Sequence, residues 1–588
     1  MSAPPRFGPL LSAAGVTFRL WAPAAREVTL LLGEHDRLPM RRHGEWFEAH
    51  AGDAGPGTRY RFNIDSELDI ADPASHFQPD DVAGPSEVID HTDYQWQARD
   101  WQGLPWERAV FVESHVGTFT RQGTFAAMMA HLDHLAATGI TALELMPVAD
   151  FPGRWNWGYD GVLWFAPDSA YGRPDELKAL IDAAHLRGLM VFLDVVYNHF
   201  GPEGNYLHRI APPFFSDEHH TPWGVAIDYR APEVRAFTIE NALHWLRDYR
   251  FDGLRLDAVH AIVEPGKPNI LTALATAVHE FAVTSGRHIH LVLENDDNAA
   301  HFMQPTPKAA NGFYRAQWND DYHHAWHVLL TGERQGYYRD FQDAGARIAR
   351  ALAQGFVYQG EASPFRGGVK RGEPSAQLPR ADFVNFVQNH DQIGNRPMGE
   401  RLSILAKPQA LEAALSVLFL QPGPPLMFMG DEWGATEPFP FLCDFHGELA
   451  EAVRQGRRRE FAEAYALHCD EIPDPLAADT RAGAVLDWDA RKEPAHAKRL
   501  TLTTALLAAR HRFVAPLLPA MTAPGDVRFE SGLLSARWAS GKKMLMLLAN
   551  LSDAGKPKPA LSWGTPIWGE APPPELPPWS VYAAIEGA

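Results

Sequence analysis

Residues 251–262 read FDGLRLDAVHAI. Successive side chains of a strand point to opposite sides, so Leu254 and Leu256 share one face while Arg255 and Asp257 share the other. A guanidinium beside a partly buried carboxylate holds it ionised by charge and by hydrogen bonding. That suits a nucleophile, and it suits a structural ion pair equally well. The surrounding pattern decides between them.

Short apolar strands ending in polar residues recur along the chain. Candidate strands are Val110–Glu113, Ala142–Met146, Met190–Val195, Gly253–Asp257, His290–Glu294, Phe313–Trp318, Phe383–Gln388 and Pro425–Met429. Between them lie amphipathic runs such as FAAMMAHLDHLAATG (125–139), PDELKALIDAAHLRG (174–188) and VRAFTIENALHWLRDY (234–249). Strands alternating with helices build a parallel sheet, and eight in series predict an α/β fold closed as a (β/α)₈ TIM barrel. No GxGxxG or GxxxxGK[ST] sequence opens any of these helices, which weakens a nucleotide-binding alternative.

The barrel does not fill the 588 residues. Before it, Val16, Phe18 and Leu20, then Val28, Leu30 and Leu32, then Tyr60, Phe62 and Ile64 alternate between turns, which predicts an N-terminal β-sandwich over 1–95. The barrel with its inserted loops and a helical extension is expected over 96–515. DVRFES, LLSARW and KMLMLLANLS then predict a C-terminal antiparallel β domain over 516–588. A net charge of −20 argues against a nucleic-acid partner, which needs a basic face. Eighteen tryptophans suit packing on sugar faces, although most aromatics fill cores. No run of about 18 apolar residues exists, so no membrane is expected. MSAPPRFGPL is unlike a signal peptide, and Cys443 and Cys469 read as reduced thiols, so the expected location is cytoplasmic.

Catalytic groups of such a barrel sit at the C-terminal ends of its strands. The fifth strand, HIHLVLEND, ends on Glu294, whose carboxyl should have a raised pKa beside a buried strand and another carboxylate. That suits a general acid that later acts as base. The seventh, FVNFVQNHDQIGNR, ends in His390 and Asp391, able to hold two adjacent hydroxyls. The third, MVFLDVVYNH, places Asp194 inside the barrel and Asn198 and His199 on its exit loop.

DVVYNH, GLRLDAVH, LENDD and NHDQ, in this order and each at a strand end, resemble the four signature regions of the α-amylase superfamily of glycoside hydrolases. The resemblance covers roughly 110–435, and position by position it makes Asp257 the nucleophile, Glu294 the general acid/base and Asp391 the third carboxylate. It also places Arg255, His199 and His390 around the cleavage subsite, with Tyr159 of WNWGYDGV stacking there beside Asp160. The implied mechanism is a double displacement with retention.

ESHVGTFTRQGTF, YNHFGPEGNYL, ENDDN and QWNDDYHHAWH further resemble the trehalose-releasing branch of that superfamily, which cuts the α-1,4 bond next to a terminal trehalose. Its substrates are maltooligosyltrehalose and malto-oligosaccharides, and its pathway partner is maltooligosyltrehalose synthase. The leaving-group contacts are sought among Trp223, Asp228, Glu264, Asp296, Asp320 and Asp321. The alternatives are a 1,4-α-glucan branching enzyme, an isoamylase-type debranching enzyme and an amylase-like binding protein; the last type usually lacks one of the three carboxylates. Asn198 matches a calcium ligand of many amylases, but no further set of oxygen ligands is evident, and neither metal nor cofactor is expected.

Overall fold

A computed structural model describes residues 5–221, 224–262, 269–307, 309, 312–462, 472–521 and 524–587. Its centre is a closed barrel of eight parallel strands in chain order: Phe111–Ser114, Ala142–Leu145, Met190–Val195, Gly253–Leu256, His290–Leu293, Ala316–Trp318, Phe383–Phe386 and Pro425–Phe428. Helices cover the outside and side chains fill the inside, so every strand residue is buried and the sequences run nearly continuously apolar.

The strand positions agree with those expected, with one large shift. The sixth strand starts at Ala316 and not at Phe313. The amides of Phe313 and Tyr314 are both spent on the Phe302 carbonyl, at 2.9 and 3.2 Å, so the ladder begins only at the Arg315 amide, which bonds Leu291 O at 2.8 Å. The run 125–139 forms two short helices, Phe125–Met128 and Leu132–Thr138, joined by a tight turn. Asp257 and Glu294 stand just past their strands. Their amides still bond Val195 O and Leu256 O, each at 3.0 Å, so the barrel fixes both backbones.

The N-terminal sandwich pairs a sheet of Leu10–Ser12, Gly15–Trp21, Trp46–Ala51 and Arg41–His43 with one built on Val28–Leu32 and Arg59–Ile64. Phe18, Leu30, Phe47 and Phe62 fill the space between them. Its outer aromatics dock on the barrel layer, Phe7 edge-on to Phe237 at 5.1 Å and Trp21 against Phe214 at 5.6 Å. Farther along this seam His76, His91 and His244 lie ring to ring, and burial pushes the His76 imidazole down to about 3. The C-terminal sheet is five-stranded and antiparallel. It grips the helix Ala344–Gln354, where Gly345 lies so close to the Phe529 ring that a Cβ would come within 2.0 Å of it.

Asp252 locks the end of the barrel opposite the strand C-termini. Its fully buried carboxylate accepts from His185 Nε2 and the Val191 amide, each at 2.9 Å, Trp101 Nε1 at 2.8 Å and Arg287 Nη2 at 3.3 Å. Burial works against its charge, but His185 and Arg287 hold the carboxyl below the usual carboxylate range. Cys443 is a buried free thiol, and Cys469 lies outside the described residues. Among the described residues no helix is long and apolar enough to cross a membrane.

All four groups bonded to Asp252 point a proton at it, so an amide there must turn a donor toward a donor. Asp252→Asn is therefore expected to cost about 3 kcal/mol. The expected result is a clear fall in Tm with kcat/KM at 25 °C nearly unchanged, because this end of the barrel serves stability.

Candidate active site

The strand C-termini open into a cavity of about 610 Å³, whose wall includes Asp257, Glu294, Asp391, Arg255, Tyr159, Asp160, His199 and His390. The third, fourth, fifth and seventh strand ends therefore meet around one space. Arg255, buried inside the barrel, is its hub. One nitrogen, Nη1, donates to Asp194 Oδ2 at 2.7 Å and to Asp257 Oδ1 at 2.8 Å, while Nη2 stands 3.9 Å from Glu294 Oε2. The guanidinium lies over the Trp318 ring at 4.1 Å, which fixes its plane.

Asp257 receives a second donor, Asn198 Nδ2, at 2.9 Å from Oδ2. The carbonyl end of that amide meets His199 Nδ1, so both ends of Asn198 are engaged within the cleft. His199 Nε2 bonds the Tyr159 carbonyl at 3.0 Å, and burial lowers its pKa. Tyr159 donates to Asp194 at 2.7 Å and stacks on His390 at 5.1 Å. Burial raises Asp194 to about 6.

Glu294 has a different environment. Its Oε2 accepts from the Ala258 amide, and Ala258 holds a left-handed φ of 41° to aim that amide, a strained geometry for a residue with a Cβ. Burial raises the Glu294 carboxyl well above the usual carboxylate range; Arg255 opposes this, and charge on Asp257, Asp320 and Asp391 adds to it. Asp391 is more open to solvent, and accepts from Asn395 Nδ2 at 2.7 Å. A group that keeps its proton thus stands beside carboxylates fed by donors, an arrangement that separates acid from nucleophile.

Glu113 was not singled out in the sequence. From the first strand it grips His390 twice, Oε1 to Nδ1 at 2.5 Å and Oε2 to the backbone amide at 2.9 Å. Burial pulls the His390 pKa down, but the Glu113 carboxylate more than offsets this, and the net shift is upward. A contact across 277 positions leaves no local trace in the sequence.

The six residues sought for the leaving group divide. Asp296 and Asp320 line the cavity. Trp223 and Glu264 lie outside the described residues. Asp321 is a correction: it is fully buried and structural, accepting from Arg371 at 2.5 Å, Asn298 at 2.9 Å and the amides of Val357 and Tyr358 at 2.8 and 2.9 Å. Asp228 pairs with Arg230 Nη2 at 2.8 Å and is not among the residues lining this cavity. A short hairpin, Glu361–Ala362 paired with Lys370–Arg371, carries Phe365, Arg366 and Arg371 to the cavity instead. Asp340 accepts from the Phe365 amide at 2.8 Å and holds the hairpin tip, where Gly367 and Gly368 take positive φ. The Gly-Gly pair in SPFRGGVKRG was the one available signal, and it marks a turn without naming its purpose.

Comparison with known proteins finds clear relatives. Residues 107–223 match the alpha amylase catalytic domain, and residues 6–75 match carbohydrate-binding module 48, the isoamylase N-terminal domain. The chain is 42% identical to a malto-oligosyltrehalose trehalohydrolase of Deinococcus radiodurans, covering 85% of this chain and 82% of that one. A protein of the same name from Mycobacterium tuberculosis is 37% identical over 94% of this chain and 96% of its own. A 1,4-alpha-glucan branching enzyme of Corynebacterium efficiens is more distant, 27% identical over 77% of this chain and 66% of its own. A crystal structure from Salmonella typhimurium, provisionally described as an alpha amylase, superposes with a TM-score of 0.95 at 42% identity, covering 99% of this chain and 100% of that one.

Burial raises Asp320 to about 7, and its charge lifts Glu294 as it ionises. A mechanism that uses a protonated Glu294 loses activity as pH rises through its pKa. Asp320→Asn removes the lifting charge, so the alkaline limb of the kcat/KM profile is expected to move toward acid by about one unit. A limb that stays in place separates Asp320 from the acid.

Proposed function

The chain belongs to the malto-oligosyltrehalose trehalohydrolases of the alpha-amylase superfamily, and on that premise we propose that Asp257 is its nucleophile, Glu294 its general acid/base and Asp391 its third carboxylate. It is a glycoside hydrolase that releases trehalose. The observation carrying the assignment is Arg255, which donates to Asp257 at 2.8 Å and stands 3.9 Å from Glu294, so that one cation fixes both reacting groups.

Asp257 attacks the anomeric carbon of the glucose preceding the trehalose unit, and the bond to the leaving oxygen breaks as Glu294 gives that oxygen its proton. Trehalose departs, and a glycosyl ester on Asp257 remains. Water then attacks the same carbon, Glu294 takes the water's proton, and Asp257 is freed with overall retention. Such chemistry places the two carboxyls about 5–5.5 Å apart. His390, Tyr159 and His199 surround the sugar that stays attached, and Asp391 holds two of its hydroxyls.

The leaving oxygen must lie against Glu294, so groups beyond Glu294 flank the departing trehalose. These are Asp296 and Asp320, the arginines Arg366 and Arg371 paired to Asp296, and the aromatics Tyr337 and Phe365. Phe365 is 46% exposed at the hairpin tip and meets Tyr337 edge-on at 6.2 Å, forming an apolar corner for a bent disaccharide. A maltooligosyltrehalose synthase acting on malto-oligosaccharides supplies the substrate, and the free Cys443 thiol suits a reducing, cytoplasmic setting.

Maltotriosyltrehalose, maltopentaose and amylose, given separately and followed by chromatography, test this. Prompt trehalose release with slow cleavage of plain maltodextrins is expected, and new α-1,6 branches on amylose would overturn it. Asp257→Ala and Glu294→Gln should each lower kcat by several orders of magnitude in a folded protein; near-normal turnover in either removes the role assigned. Phe365→Ala should lower kcat/KM for maltotriosyltrehalose about tenfold while leaving maltopentaose nearly unaffected. Equal losses on both substrates would move Phe365 away from the trehalose side.

A further inference from the structure

His76, His91 and His244 each place one ring nitrogen within 4.8 Å of one from each of the others, the one such group of potential ligands among the described residues. His76 and His91 come from loops that follow the strands of the N-terminal sandwich, and His244 from the barrel helix Pro232–Asp248. The ring centroids are 4.9–5.0 Å apart. None of the three lines the catalytic cavity.

Their hydrogen bonding is unbalanced. His76 Nδ1 and both ring nitrogens of His91 are shielded from solvent and meet no partner. A buried polar group left unsatisfied is costly, so three such nitrogens make a poor core filling. His244 is, by contrast, oriented at both ends, with Nε2 on the Phe165 carbonyl at 3.0 Å and Nδ1 on Asp248 at 2.9 Å. Histidines that bind metals keep a carbonyl or carboxylate on the nitrogen that does not bind. Nearby, Lys178 Nζ lies 3.3 Å from the His91 carbonyl and 3.6 Å from Asp175, and Arg247 pairs with Asp248. Asp175 and Asp248 thus offset these two cations beside the three rings.

We propose that His76, His91 and His244 form a binding site for a borderline divalent transition metal, Zn²⁺ in the first place, which ties the N-terminal sandwich to the barrel. Imidazole donors suit zinc, cobalt, nickel and copper, whereas calcium and magnesium require oxygen. One nitrogen of His244 gives up its present partner to the ion, and the other remains the orienting contact. The role is structural, because the ion holds two units together away from the reacting groups.

The test uses the full chain after treatment with a chelator, titrated with ZnCl₂ in a calorimeter and with Co²⁺ by visible absorption. One equivalent of each metal is expected, with zinc raising Tm by a few degrees and Co²⁺ showing the bands of imidazole coordination. His91→Ala and His76→Gln should each weaken zinc binding about 100-fold and abolish the Tm rise, while trehalose release stays at the wild-type rate as proof of folding. Should His91→Ala fail to fold, His76→Gln decides. Absence of stoichiometric zinc binding, or unchanged affinity in the folded variants, overturns the proposal; the latter would place the metal on exposed histidines.

Discussion

Arg255 sits where four strands of the barrel converge, and much of the active site takes its position from this one buried cation. Its guanidinium joins Asp194 to Asp257, stands near Glu294 and lies on Trp318. A charge buried so deeply is tolerable only when carboxylates meet it from several directions, and each of those carboxylates is thereby fixed. Tyr159 follows through Asp194, and His390 follows by stacking on Tyr159. Precision at the cavity is thus inherited from the barrel interior.

The same interior gives two neighbouring carboxyl groups different surroundings. Asp257 receives donors on both oxygens, whereas Glu294 accepts from a single amide and faces other carboxylates. Burial raises the Glu294 carboxyl, and the neighbouring carboxylates add to the shift. Glu113 does the reverse for His390, favouring the charged ring.

The barrel was legible because eight apolar runs alternate with helical ones, and the residues at four strand ends come together as their order suggested. Legibility faded where spacing stopped carrying information. Asp320 and Asp321 are neighbours in sequence, yet one faces the cavity and the other is sealed beneath Arg371, a distinction set by helix phase and by a partner 50 residues away. The hairpin with Phe365 and Arg366 has no periodicity, and Glu113 looks like any residue ending a strand. Phe313 and Tyr314 read as strand because they are aromatic, but the Phe302 carbonyl claims their amides. Each miss is a contact that spacing alone does not reveal.

One continuous hydrophobic core runs from Phe18 and Phe62 of the sandwich through the barrel to Trp538 and Leu547 of the C-terminal sheet. The N-terminal unit is therefore not a cassette that genomes can shuffle freely. An exchange between relatives would carry Phe7 and Trp21 away from the Phe237 and Phe214 surfaces shaped to receive them. The two sides of that seam must drift together, so a substitution tolerated in one lineage becomes a barrier to recombination with another.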